Sequence, residues 1–104
     1  MSTKSDVAVI TKVKINTNLK PPARYSVIYF NDEKTSAEFV TRSLMEVFGY
    51  SLEAAIALTK QVDEQGSGAA ASGLTKELAS HLRDLVKVKA EAEGFPLVVE
   101  ITEE

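Results

Sequence analysis

The chain has 104 residues, 44% hydrophobic and 26% charged, with a net charge of −3, which bounds it to one ordinary globular domain with one modest core. There is no basic stripe of the kind a nucleic-acid binder needs, no cysteine for a disulfide framework or thiolate metal site, and a single histidine, His81, for any imidazole-based centre. No apolar run approaches the ~20 residues of a membrane span, and the opening Met1-Ser2-Thr3-Lys4-Ser5-Asp6 leads into a mixed Val/Lys stretch rather than a signal-peptide apolar core, so cytoplasmic residence is expected.

Residues 1–20 stand apart from the body: four of the twelve basic residues (Lys4, Lys12, Lys14, Lys20) lie here against one acid, Asp6, and Pro21-Pro22 then marks a stiff boundary. The division expected is a flexible extension over 1–22 and a core domain over 23–104. Val9 to Ile15 partly alternates, however, which is also compatible with a short strand.

Residues 24–30 are β-branched and aromatic and read as a buried strand ending at Asn31-Asp32. Thr35-Ser36-Ala37-Glu38 fits a capping box, in which a hydroxyl and a carboxylate satisfy the free amides of a helix start, so the first helix is expected to open at Thr35. Phe39, Val40, Leu44, Val47 and Phe48 then share one helical face, and Gly49 stops the helix. Ser51 is placed to cap a second helix with Leu52, Ala55, Ile56, Thr59 and Val62 inward, ending near Gly66. The small residues of 66–73 read as a loop, or as a short edge strand if they pair at all. Thr75 starts a third helix with Leu78, Leu82, Leu85 and Val86 inward, Gly94 ends it, and Leu97 to Ile101 is a closing strand. Helices packed on one face of a small antiparallel sheet fit this order, an α+β fold.

Asn31-Asp32-Glu33-Lys34-Thr35 is the stretch with the most chemistry. A carboxamide beside a carboxylate at a strand-to-helix junction suits a small cationic group, such as the amine of a polypeptide's first residue. The competing reading is a plain turn, since Asn and Asp favour turns on their own merits. No catalytic set is present: there is no Ser/His/Asp arrangement, no cysteine nucleophile, and Gly66-Ser67-Gly68 lacks the Lys-Ser/Thr of a phosphate-binding loop. No enzyme activity and no cofactor are expected.

The run from Pro21-Pro22-Ala23-Arg24-Tyr25 through Asn31-Asp32 and Thr35 to Glu38-Phe39-Val40 resembles the opening of the ClpS family, adaptors of the ATP-dependent Clp protease. Val47-Phe48-Gly49-Tyr50, Val62-Asp63-Glu64-Gln65-Gly66 and Gly94-Phe95-Pro96-Leu97 resemble later segments of that family in the same order, so the resemblance covers about 20–102. It implies a three-stranded antiparallel sheet with three helices, as also in the C-terminal domain of ribosomal stalk protein L7/L12. It implies a non-catalytic monomer that binds proteins with a bulky hydrophobic first residue (N-degrons) and delivers them to the N-terminal domain of a ClpA- or ClpC-type unfoldase. By that resemblance Asn31 and Asp32 hold the substrate's α-amine.

The chain departs from the family at Asp63, where the family has a histidine as third amine contact. Asp63 either replaces the imidazole with a charge or is a solvated acid near a helix end. In the former case two carboxylates would repel without ligand, raising one pKa. The resemblance places the substrate's first side chain among Thr35, Ala37, Val40, Thr59, Val62 and Leu97. Val40, Val62 and Leu97 are equally readable as core. Methionine is common in the family at positions 37 and 59, so the smaller residues here widen the pocket. Docking to the unfoldase maps to Glu77, Ser80 and Leu82 on the third helix, where Ser80 and Leu82 replace charged residues and Leu82 also reads as core. The alternatives are an L7/L12-like protein-interaction module, which gives no reason for Asn31-Asp32, and a decoy of adaptor fold that blocks delivery.

Overall fold

The computed structural model describes residues 21–104. Of the extension expected over 1–22 it therefore includes only Pro21 and Pro22, exposed and without regular structure; the remainder, with the Val9–Ile15 stretch, lies outside the described residues. The elements run β1 (Tyr25–Phe30), α1 (Ala37–Phe48), α2 (Leu52–Gln65), β2 (Ser67–Leu74), α3 (Lys76–Ala92) and β3 (Val98–Glu103). The sheet is antiparallel throughout in the order β2-β1-β3, so the apolar first strand is central.

Strand alternation sends Val27 and Tyr29 of β1 fully into the core, with Val99 of β3 beside them. Phe39, Val40 and Leu44 of α1, Ala55, Leu58 and Val62 of α2, and Ala79, Val86 and Ala90 of α3 close over that face. Tyr29 carries a hydroxyl into this core, and Ser43 receives it at 2.8 Å. Ser43 has one hydroxyl proton and gives it to the Val40 carbonyl at 2.9 Å, so Tyr29 is the donor. Burial pushes the Tyr29 phenol well above its usual range, against the Ser43 bond, which lowers it.

Ser51 and Thr75 cap α2 and α3, accepting from the Ala54 and Leu78 amides at 3.2 Å. Gly49 and Gly66 end α1 and α2 at φ 76° and 91°, the left-handed conformation that glycine adopts without strain. The first cap differs from expectation. Ser36, not Thr35, accepts from the Phe39 amide at 3.1 Å, and α1 opens at Ala37. Thr35 is engaged elsewhere, with Asp32.

Two inward faces also need correction. Leu52 and Ile56 of α2 are 55% and 52% exposed, while Leu58, not anticipated, is buried. On α3, Leu78 and Leu85 are exposed and Leu82 is half-buried, while the small Ala79 and Ala90 join Val86 inside. In both helices small alanines take the inward positions, and the larger residues flanking them lie toward the rim.

Residues 67–74 form a full edge strand rather than a loop. Gly68 within it follows from how close α2 lies: a Cβ there would come within 2.8 Å of Leu58 Cδ1 and 3.0 Å of Val62 Cγ2. Gly68→Ala is therefore expected to lower stability by about 1–3 kcal/mol, the usual range for overpacking, read by chemical denaturation. A change below about 0.5 kcal/mol, within the range of ordinary surface substitutions, would mean that the Leu58 and Val62 side chains step aside freely.

Candidate functional site

The end of β1 is joined to the end of α2. The Asn31 amide donates to the Gly66 carbonyl at 2.9 Å, and Gly66 in turn donates to the Val62 carbonyl at 2.9 Å. This sets the Asn31-Asp32 corner against the last turn of α2, which carries Val62 and Asp63.

Between them lies a cavity of about 270 Å³. Asn31, Asp32, Glu33 and Thr35 line it from the β1–α1 loop. Ala37 and Val40 line it from α1, and Thr59, Val62 and Asp63 from α2. Eight of the nine residues expected at the amine and side-chain sites thus share one concavity. The ninth, Leu97, is buried in the core at 6% exposure and is not on the lining. Val40 and Val62 are both buried in the core and on the lining of this cavity. Glu33 was not anticipated; its adjacency to Asn31-Asp32 was the only signal in the sequence. The volume lies just under the ~300–1,000 Å³ of pockets for drug-sized ligands and suits a single amino-acid residue.

Asp32 is held by its own loop. One carboxylate oxygen accepts from the Lys34 amide at 2.8 Å and the Thr35 amide at 2.7 Å. The other accepts from the Thr35 hydroxyl at 2.7 Å. A carboxylate has about four acceptor positions, so three are filled internally and one is left open. Partial burial works to raise the Asp32 carboxyl, but the Thr35 and Lys34 bonds and the Lys34 charge outweigh it and hold its pKa below the usual value. The repulsion expected to raise one of two paired carboxyls is thus not felt at Asp32, whose own loop supplies enough donors to keep it ionised. Asn31 and Asp63 are exposed at the cavity mouth.

Between α1 and α2 the hydroxyls of Thr41 and Thr59 meet at 2.8 Å. Thr59 gives its proton to the Ala55 carbonyl at 2.7 Å, so Thr41 is the donor to Thr59. On the far side of this pair a wider, mostly apolar groove of about 670 Å³ runs between the helices.

The residues expected at an unfoldase interface lie on α3: Glu77 is exposed, and Ser80 and Leu82 are half-buried. They are not among those lining the cavity. His81 is exposed beside them. Among the described residues no group of three or more His, Cys, Asp or Glu side chains is arranged to hold a metal ion, and no helix is long and apolar enough to cross a membrane.

Thr35 is the residue whose removal should show how Asp32 is held. Thr35→Val deletes the hydroxyl bond and keeps the amide bonds, so the Asp32 carboxyl should titrate at higher pH than in the parent, followed by NMR of its side-chain carboxyl. An unchanged titration would mean that the hydroxyl contributes nothing to its ionisation. The sign extends to stability: a depressed carboxyl stabilises the fold above its unfolded pKa and loses that contribution as pH falls through its folded pKa. The variant should therefore lose less stability on acidification.

Comparison with known proteins agrees with this fold. The family described as ATP-dependent Clp protease adaptor protein ClpS matches residues 20–100, a span that includes every cavity-lining residue. The ClpS adapter of Oleidesulfovibrio alaskensis is 36% identical over 97 residues, covering 93% of this chain and 88% of the relative. That of Neisseria gonorrhoeae is 38% identical over 80 residues, covering 77% and 76%. A solved structure of Agrobacterium tumefaciens ClpS2 bound to L-phenylalaninamide superimposes with a TM-score of 0.78 at 26% identity, covering 81% of this chain and all of that one. The match takes in Asn31-Asp32, which an L7/L12-like module left without a reason. On fold, site-bearing span and relatives together, the chain belongs to the ClpS family of ATP-dependent Clp protease adaptors.

Proposed function

We propose that this chain is a non-catalytic adaptor that captures the α-amine and bulky hydrophobic first side chain of a substrate polypeptide in the β1–α2 cavity. Asn31, Asp32 and Asp63 receive the ammonium, and Thr35, Ala37, Val40, Thr59 and Val62 surround the side chain; Leu97 supports them from the core. The observation that carries the reading is Asp32, a carboxylate with one acceptor position left open, on the lining of a cavity of single-residue size. The A. tumefaciens relative bound to L-phenylalaninamide supports it, since that ligand has a free amine and a bulky aromatic side chain.

The captured protein passes, in this reading, to a cytoplasmic ClpA- or ClpC-type unfoldase whose N-terminal domain docks on α3 around Glu77, Ser80 and Leu82. The adaptor works as a monomer. Substrate capture and docking use separate surfaces, so a chain that docks weakly would still bind peptide and would act as a decoy.

An α-amine has a pKa of ~7.7–8.0 and is mostly cationic at neutral pH. Charge-assisted bonds to it are the stronger kind, worth about 1.5–3 kcal/mol each. Fluorescence anisotropy with a Phe-initial peptide is expected to show binding that N-acetylation abolishes. Asp32→Asn and Asp63→Ala should each weaken it about tenfold or more, the low end of that energy range. Unchanged affinity in Asp63→Ala would return Asp63 to a solvated acid.

The pH profile has a fixed sign. Asp32, with its lowered pKa, stays ionised through the neutral range, so affinity should be level at about pH 6–7. It should fall by about tenfold per unit above pH 8 as the peptide amine loses its proton. Affinity rising with pH across that range would contradict capture of an ammonium.

A further inference from the structure

The cavity does not stand alone. Ala37, Thr59 and Asp63 line both it and the larger α1–α2 groove, so the two adjoin along the edge formed by those three side chains. From that edge the groove runs back along α2 past Ile56 to Leu52, with Met45 facing them from α1. All three apolar side chains are more than a third exposed. Along a helix rising 1.5 Å per residue, Ile56 lies about 10 Å and Leu52 about 16 Å from Asp63. An extended chain advances ~3.3–3.6 Å per residue, so the groove has the length of three to five extended residues.

Its charges are ordered as well. Glu38 and Asp63 stand at the cavity end, where a chain entering amine-first is positive, and Arg42 and Lys60 lie further along. Arg42 is tethered to Glu93 at 2.6 Å and stacks over Phe39, 5.5 Å from the ring centroid, which fixes that wall of the groove.

We infer that the α1–α2 groove holds the substrate's second to fifth residues, and that this adaptor selects chains that are apolar there as well as at the first position. The inference rests on the amine-first capture proposed above. Small residues at positions 37 and 59 keep that shared edge low: a longer side chain at either would stand between cavity and groove. Recognition would then read a short apolar segment whose first residue is anchored by its amine.

The test compares two free-amine peptides that share a first Phe and a common polar tail, Phe-Leu-Ile-Leu and Phe-Ser-Gly-Ser, by anisotropy, each also N-acetylated. The apolar peptide is expected to bind about tenfold more tightly, a modest return on its buried area once chain ordering is counted. Ile56→Ser and Leu52→Ser, both at exposed positions, should each reduce that ratio to about threefold or less. Amine-dependent binding with equal affinity for the two peptides, or a ratio unchanged in both variants, would overturn the groove assignment and leave the amine capture standing. Binding indifferent to acetylation would overturn the capture and the groove together. Sedimentation of the free protein covers the remaining occupant: a dimer abolished by Ile56→Ser would assign the groove to a second copy and overturn the inference.

Discussion

The bond from the Asn31 amide to the Gly66 carbonyl ties the site to the fold. It is a last rung beyond the β1–β2 ladder, which ends at Phe30 opposite Ser67, and it lies where α2 stops. Through it the central strand, the helix end and the edge strand meet at one point. The Asn-Asp corner is thereby set against Asp63, and the cavity lies between them. The same crowding explains Gly68, one residue into the edge strand, where the α2 side chains Leu58 and Val62 leave no room for a Cβ.

Within that frame Asp32 is a pre-arranged acceptor. Its loop fills three positions of the carboxylate and keeps it ionised, so little need be reorganised when a donor arrives. In the proposed capture, the apolar walls from α1 and α2 select for size and the polar corner sets direction. This division of labour suits an adaptor, which has to recognise a chemical end common to many proteins and do nothing to it.

Much of this was legible in the residues. The strand, the two glycine stops, the Ser51 and Thr75 caps and the Asn31-Asp32 corner all follow from local chemistry. The cap of α1 did not, because Thr35 and Ser36 are both good caps and only the fold shows that the Thr35 hydroxyl goes to Asp32. Leu52, Ile56, Leu78 and Leu85 were read inward since apolar residues at helical spacing normally face the core. Periodicity cannot tell that Ala55, Ala79 and Ala90 take the buried positions while larger apolar neighbours are left at the surface. The groove was invisible for that reason: Leu52 and Ile56 on its α2 wall were assigned to the core. Strand β2 was hidden by its glycines and alanines, whose β propensity is low and whose pairing depends on the Tyr25–Phe30 strand beside it.

The most direct measurement is an NMR titration of the backbone amides with L-phenylalaninamide and, separately, its N-acetylated form. With the free amine, the amides expected to move are those of Asn31 to Thr35, together with Val62, Asp63 and Gly66, while Lys76 to Ala92 stay still. The acetylated form should move none of them. Perturbations centred on α3, or equal responses to the two compounds, would contradict amine capture between β1 and α2.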